Sequence, residues 1–397
     1  MHKNTSKIAY LDGIRGLASL LVFVHHFLLA FYFSYYSFDV GTSHINGLDV
    51  AFGRSIFSVF ANGHFFVCVF FVLSGFVLSR KYFQTNSTEV LVSAAMRRFL
   101  RLYIPVAVTM ILSFVLLRAG QYYNVPAASI THSEWFGKLW DIPDPLSRLW
   151  YCLRTGTMFK GDNIFDTSLW TMSIEFTGSM MVFAFLSLTH NTRHRSLSLT
   201  VLLLYCVFAY DNNMVAFALG IGLNYVEQWR MEKPKHPVHV TATALLFGGL
   251  ILGSFPSTFN ITGTVYERLP ALLLRGKGWA HVFGAWFVVL AFVLSGPLQR
   301  LGSSKPFRFL GYISFSLYLL HPLVIGSFSA LMLLRLGVAY SYNQAALGIF
   351  LLTLVLCLVL SWLMTKYVDE PGTRFSRYVY DKWFRNDTNK KSLPAGE

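Results

Sequence analysis

The sequence predicts an all-α fold: a polytopic transmembrane helical bundle of about ten transmembrane helices, with both termini cytosolic. Three observations predict it. Of 397 residues, 54% are hydrophobic and only 13% charged, about half the charge of a soluble domain. The apolar residues run continuously for about 20 residues at a time, the length that crosses a ~30 Å hydrocarbon core as a helix, and do not alternate as barrel strands do. The surplus of basic groups, 33 Lys and Arg against 19 Asp and Glu, collects between those runs. Together these exclude a disordered chain, a secreted disulfide scaffold, a porin-type barrel and a soluble enzyme with a membrane tail. A net charge of +14 would suggest nucleic acid on a soluble domain. Placed between spans it reads as topology signalling, and no nucleic-acid partner is expected.

The spans are expected at 14–33, 56–78, 99–118, 168–189, 197–210, 213–229, 238–255, 279–298, 309–333 and 345–366. The fifth is short and joins the sixth through a tight Asp211-Asn212-Asn213 turn. An even number of spans puts both termini on one side, and the positive-inside rule makes that side the cytosol. Most basic residues then fall on cytosolic segments, including Arg230-Met231-Glu232-Lys233-Pro234-Lys235. The longest loop, about 119–167, lies outside with Trp135, Trp140 and Trp150. It reads either as an acceptor surface or as a cover for helix ends. The first apolar run is too long for a cleavable signal peptide, and no repeat of the transporter kind is evident. Residues 1–375 are expected to form one transmembrane domain and 376–397 a basic cytosolic tail, with no fused soluble domain. Cys68, Cys152, Cys206 and Cys357 include no CxxC pair, so neither a disulfide framework nor a metal site is expected.

An ionisable group at the bilayer centre costs about 2.5–3.5 kcal/mol on insertion scales and marks function by default. The first span carries Arg15 and His26. At 100° per residue they share a face, ~16.5 Å apart along the axis, so Arg15 is expected at the cytosolic mouth and His26 near mid-membrane. A neutral imidazole there can take up a proton. His25, about 100° away, reads as a packed histidine. Arg98 and Arg101 share a helix face at the cytosolic interface. Their guanidinium forks suit phosphate, with Arg15 as a third contact, although snorkelling basic residues would look the same. Glu175, in Trp170-Thr171-Met172-Ser173-Ile174-Glu175, is an intramembrane carboxylate expected within two turns of the outer side. It reads as a partner for a histidine or a hydroxylated substrate, or else for an arginine. Ser74 has no base beside it, and Ser74-Gly75 reads as a small pair for close helix approach. His64, His281 and His321 are further intramembrane or interfacial histidines, and Pro322 frees a carbonyl that polar neighbours must satisfy. Asn260-Ile261-Thr262 is a glycosylation sequon, meaningful only in a eukaryotic secretory route.

These residues resemble the acyltransferase 3 family of integral membrane acyltransferases, over about residues 7–375. The resemblance is carried by Leu11-Asp12-Gly13-Ile14-Arg15-Gly16-Leu17-Ala18 leading into Arg15-x10-His26, and by Phe70-Phe71-Val72-Leu73-Ser74-Gly75-Phe76. Arg98-x-x-Arg101, Ser168-Leu169-Trp170-Thr171-Met172-Ser173-Ile174-Glu175 and Ser316-Leu317-Tyr318-Leu319-Leu320-His321-Pro322 complete it. It implies transfer of an acyl group, usually acetyl from acetyl-coenzyme A, to a hydroxyl of a carbohydrate or lipid-linked glycan. It maps the family's functional pair onto Arg15 and His26, its carboxylate onto Glu175, and its Arg-x-x-Arg onto Arg98 and Arg101. Two departures leave the acceptor open: Thr171-Met172-Ser173 precedes Glu175, and Asp369-Glu370-Pro371 stands where Glu-Arg-Pro is common. The expected reaction is a relay in which the arginines hold the phosphates of coenzyme A and His26 takes the acceptor's proton, in preference to forming an acyl-histidine. Acyl-CoA is then a donor substrate and no bound cofactor is expected. The setting is a lipid bilayer, the plasma membrane or a bacterial inner membrane. His44-x4-Asp49 mimics the spacing of soluble-facing glycerolipid acyltransferases but falls in an outer loop, away from any cytosolic thioester. The alternative from another class is a transporter or exporter of a small solute, which also uses buried His, Glu and Arg. Coenzyme A dependence separates the two.

Overall fold

The structure is a computed structural model that describes residues 9–209, 212–232, 239–258, 260–268, 278–337 and 339–385. In chain order the principal helices are α1 (Ala9–Phe31), α2 (Gly63–Thr85), α3 (Glu89–Arg118), α4 (Trp170–Leu188), α5 (Arg195–Ala209), α6 (Asn212–Glu232), α7 (His239–Gly253), α8 (Trp279–Leu294), α9 (Gly296–Gly302), α10 (Lys305–Val324), α11 (Tyr342–Met364) and α12 (Glu370–Tyr380). Among the described residues there is no strand. The fold is all-helical, as the composition requires.

Among the described residues, six helical segments are long and apolar enough to cross a membrane: α1, α2, α3, Thr167–Leu188, Lys305–Leu336 and Tyr342–Phe384. A seventh counts only if α8 and α9, bent by 101°, are one span. All ten expected stretches overlap helices, yet four fall short. Helices α5 and α7 have 15 residues each, about 22 Å at 1.5 Å per residue against a ~30 Å core. Helix α6 has 21 residues, but Asn212, Asn213, Asn224, Glu227 and Gln228 dilute its hydropathy. Helix α8 stops at Leu294, where Ser295-Gly296-Pro297 turns the chain. The fold therefore supports about six spans, and neither the count of ten nor the side of the termini follows from it. Asp211 of the expected turn, Lys233-Pro234-Lys235 and residues 386–397 of the expected tail lie outside the described residues.

Two boundaries move in ways that matter for the site. Residues Ile56–Ala61 form a 3-10 turn, so α2 begins at Gly63, with Asn62 Oδ1 accepting from the Phe65 N–H at 3.2 Å. Helix α3 begins at Glu89, ten residues before the expected 99, and this puts Arg98 in its third turn instead of ahead of its start.

Close packing brings the functional helices together. Helix α1 packs most extensively against α10. A Cβ on Gly16 would lie 2.3 Å from the Gly311 nitrogen, a distance only glycine permits. The expected approach at Gly75 is also present: a Cβ there would meet the Phe217 carbonyl oxygen of α6 at 2.1 Å. Phe23, Phe27, Phe31 and Leu317 pack the region around α1 and α10, and Phe65, Phe71, Phe76 and Phe217 pack around α2 and α6. The 119–167 loop folds into short helices at Asn124–Thr131, Glu134–Gly137, Pro145–Tyr151 and Thr157–Lys160. It is tied to α1 by Ser133, whose hydroxyl donates to the Leu29 carbonyl at 2.7 Å.

Candidate active site

The polar interior divides into an arginine group and a histidine group. In the arginine group, Arg98 of α3 is buried and ion-paired with Glu175 of α4. Its Nε donates to Ser179 Oγ at 2.8 Å, and Ser74 Oγ of α2 donates to Glu175 Oε1 at 2.7 Å. Arg15 pairs loosely with Asp12, 3.8 Å away and one turn before it. Arg15, Arg98 and Arg101 lie within electrostatic range of one another, with Glu175 and Asp369 as the facing carboxylates. Arg101 is exposed, Arg15 half-buried. Such a set of guanidinium groups, only partly neutralised, is suited to a polyanion.

Sequence spacing placed Arg98 at one mouth of the bundle and Glu175 near the other. The ion pair puts them at one level, because the loop dips beside α3, where Tyr103 donates to the Leu153 carbonyl at 3.0 Å and Phe159 stacks on Phe99, so α4 starts deep in the bundle. Of the readings open for Glu175, the structure realises the arginine partner, and among the described residues none of its hydrogen bonds goes to a histidine.

In the histidine group, His26 Nδ1 lies 2.6 Å from His321 Nε2, and His321 Nδ1 lies 2.8 Å from the Leu317 carbonyl oxygen. Trp135, from the long loop, stacks on the outer face of His26 with ring centres 5.5 Å apart and planes 2° from parallel. His26 is half-buried while His321 is fully buried, so His26 is the member that a substrate can reach. Tyr318 connects the two levels: its hydroxyl is 2.9 Å from Thr171 Oγ1 and donates to the Ser168 carbonyl at 3.1 Å.

The other histidines and tryptophans separate by role. His25 Nδ1 sits 2.7 Å from the Ala61 carbonyl oxygen and 2.8 Å from the Tyr35 hydroxyl, packed on Gly63, as a structural residue would be. His64 and His281 form a second pair, Nδ1 to Nδ1 at 2.8 Å, with His281 Nε2 2.8 Å from the Phe255 carbonyl oxygen. The His44 and Asp49 pair is a loop clasp: Asp49 accepts from Ser34 at 2.5 Å and Ser43 at 2.6 Å, while His44 stacks on Tyr342. Trp140 is buried with its indole N–H donating to the Phe165 carbonyl at 3.0 Å, and Trp150 is exposed. At the end of the loop, burial pushes the Asp166 carboxyl up to about 7, although the Ser168 N–H and hydroxyl both donate to it. Among the described residues no three His, Cys, Asp or Glu side chains converge as a metal site would need.

Sequence reasoning missed the contacts of His26 with His321 and Trp135. The one local signal for the first was Pro322, which cannot satisfy the carbonyl four residues back and so leaves polar backbone facing the His321 ring. Nothing local announces the second.

The family whose description is "Acyltransferase domain" matches residues 8–366. The chain is 24% identical over 455 residues to the O-acetyltransferase PaAT-1 of Phomopsis amygdali, covering 96% of this chain and 86% of that protein. It is 25% identical over 401 residues to the acyltransferase clz18 of Cochliobolus lunatus, covering 81% and 83% of the two chains. Its identity to the acyltransferase R4 of a Phoma species is 24% over 400 residues, covering 81% and 84%. No solved structure matches the chain.

Proposed function

Since the chain belongs to the acyltransferase 3 family, matched over residues 8–366, we propose that it is a membrane O-acyltransferase moving an acetyl group from acetyl-CoA to a hydroxyl of a carbohydrate or lipid-linked glycan. Acyltransferase activity comes with the family; the donor and acceptor are the proposed part. A similar protein bearing the name O-acetyltransferase supports acetyl transfer to oxygen. The observation that carries the reading is the place of His26, half-buried and hydrogen-bonded at 2.6 Å to His321, on the helix whose first turns bring Arg15 to Arg98 and Arg101. We further propose a plasma-membrane protein in which the shorter helices complete ten crossings and both termini are cytosolic.

The chemistry follows from these groups. Arg15, Arg98 and Arg101 hold the phosphates of the donor, and Glu175 presents Arg98 without touching the reacting atoms. The acceptor hydroxyl loses its proton to His26 as its oxygen attacks the thioester carbonyl. The C–S bond breaks, and the leaving coenzyme A thiolate takes the proton back from the imidazolium. The Trp135 face lies against the ring when it is charged, an arrangement that favours a cation.

The test is acetyl transfer from labelled acetyl-CoA by purified full-length protein, supplied with glycolipid extracted from the host membrane. His26→Ala should lower transfer by about 10²–10⁴-fold while coenzyme A binding persists. His25→Ala should keep far more activity per folded molecule than His26→Ala, since His25 lies beside the His26 ring, with centres 5.2 Å apart, but its Nδ1 faces the Ala61 carbonyl and the Tyr35 hydroxyl. Solute uptake into proteoliposomes without thioester cleavage would overturn the reading in favour of a transporter.

A further inference from the structure

The histidine pair determines which nitrogen does the work. A backbone carbonyl can only accept a hydrogen bond, so the 2.8 Å contact to Leu317 places a proton on His321 Nδ1. A neutral His321 then presents a lone pair at Nε2. That lone pair faces His26 Nδ1 at 2.6 Å, so His26 is the donor in this bond and carries its proton on Nδ1. Its Nε2 is left as an acceptor. The minor tautomer of free imidazole is thereby imposed on His26 by a ring from another helix.

The surroundings keep His321 neutral. The titratable groups facing the pair are His25 from α1 and Tyr318 from α10, with Tyr35, Tyr36 and His64 next to His25. Trp135 lies against His26 and Phe23 against His321, with Phe350 stacked behind Phe23. Among the described residues no carboxylate faces the pair, so a second positive charge at His321 would have no counter-ion.

We propose that His321 is the positioning residue of the acyl transfer: it locks His26 as the Nδ1–H tautomer and leaves Nε2 as the atom that accepts the hydroxyl proton. When His26 becomes an imidazolium, its Nδ1–H still points at the neutral His321 Nε2, so the transient charge has an acceptor in place before the reaction starts. This rests on the proposed use of His26 as base. The same geometry explains why His26 sits beside a fully buried ring and not beside a carboxylate: a carboxylate at this depth needs a cation, as Glu175 has in Arg98.

The experiment reads tautomer and activity separately. Full-length protein labelled with 15N-histidine is observed in micelles, and the His26 resonances are identified by their loss in His26→Gln. His26 should show a protonated Nδ1 and a bare Nε2, and His321→Ala should return it to the common Nε2–H form. With acetyl-CoA as the probe, thioester cleavage by His321→Ala should show kcat lower by roughly 10–100-fold, as for other groups that orient a functional imidazole, at an unchanged donor KM. His321→Gln, whose amide oxygen can accept the same bond, should recover most of the rate and the Nδ1–H signal. A wild-type His26 protonated on Nε2, or a tautomer unmoved in His321→Ala, overturns the proposal whatever the activity. A tautomer that moves as described in a protein that cleaves no acyl thioester upholds the positioning and overturns the proposed reaction.

Discussion

Arg98 and Arg101 lie three residues apart and differ in what they can lose. Arg101 is exposed and serves only its electrostatic neighbours, so Arg101→Ala should raise the donor KM by about 10–100-fold, the loss of one charge-assisted phosphate contact of roughly 1.5–3 kcal/mol. Its kcat and melting temperature should hold, and a fall in kcat at unchanged KM would refute the phosphate role. Arg98 is buried against Glu175. Removing one partner of a buried ion pair costs about 3–5 kcal/mol, so Arg98→Ala should lower folded yield first. Adding Glu175→Gln should restore part of that yield without restoring donor affinity. If the double variant is no more stable than Arg98→Ala, the pair is not what Glu175 stabilises. Asp166 gives a pH test. Its carboxyl ionises near 7 in the fold, because burial disfavours the charge, against about 4 in the unfolded chain. Between those values the folded state holds a proton that the unfolded state has lost, so stability falls as pH rises through that window. Asp166→Asn should therefore raise the melting temperature by several degrees at pH 8 and by much less at pH 5. A gain independent of pH would show that burial of this charge is not its cause.

Among whole helices, the α1–α10 contact is the one the site depends on. Gly16→Ala would drive a methyl into the Gly311 backbone, 2.3 Å from its nitrogen. The two helices must separate, and with them His26 and His321, so activity should drop sharply even in protein that still folds. Gly348 in α11 has nothing within 4 Å, and Gly348→Ala should be neutral or stabilising by up to about 1 kcal/mol. Equal effects at both positions, measured as activity per folded molecule, would remove close approach as the explanation. The same comparison shows what a single chain reveals of itself. Long apolar runs announce α1, α2, α3, α4, α10 and α11, because the bilayer demands about 20 such residues in sequence. Glycine pairs announce close approach but not the partner. Helix starts are weaker: the apolar run of α3 begins at Phe99, while its hydrogen-bonded helix begins at Glu89. What hid the Arg98–Glu175 pair is the loop before α4, which dips beside α3 as far as Phe99 and so starts α4 deep in the bundle. The match of Trp135 with His26 was illegible, since an indole in a polar loop carries no mark of the ring it covers.

For the molecule as a whole, the proposed ten crossings and the six spans evident from length and hydropathy both place the termini on one side; a count of seven, with the α8–α9 bend as one span, separates them. The four native cysteines are all buried, so a cysteine introduced at Lys390 reports alone. It should resist an impermeant thiol reagent added to intact cells and react after lysis; labelling from outside refutes cytosolic termini. The pairing of His26 with His321 also has a consequence for how the protein is made. The two residues are 295 positions apart, and ribosomes add about 5–20 residues per second. For roughly 15–60 s of each synthesis, α1 stands in the membrane with His26 and a bare glycine face, before the helix that covers them exists. A nascent chain in that state displays the polar transmembrane surface that membrane proteases and insertion chaperones recognise. Products truncated before Lys305 therefore keep that surface permanently, and should be cleared quickly instead of accumulating as inactive enzyme.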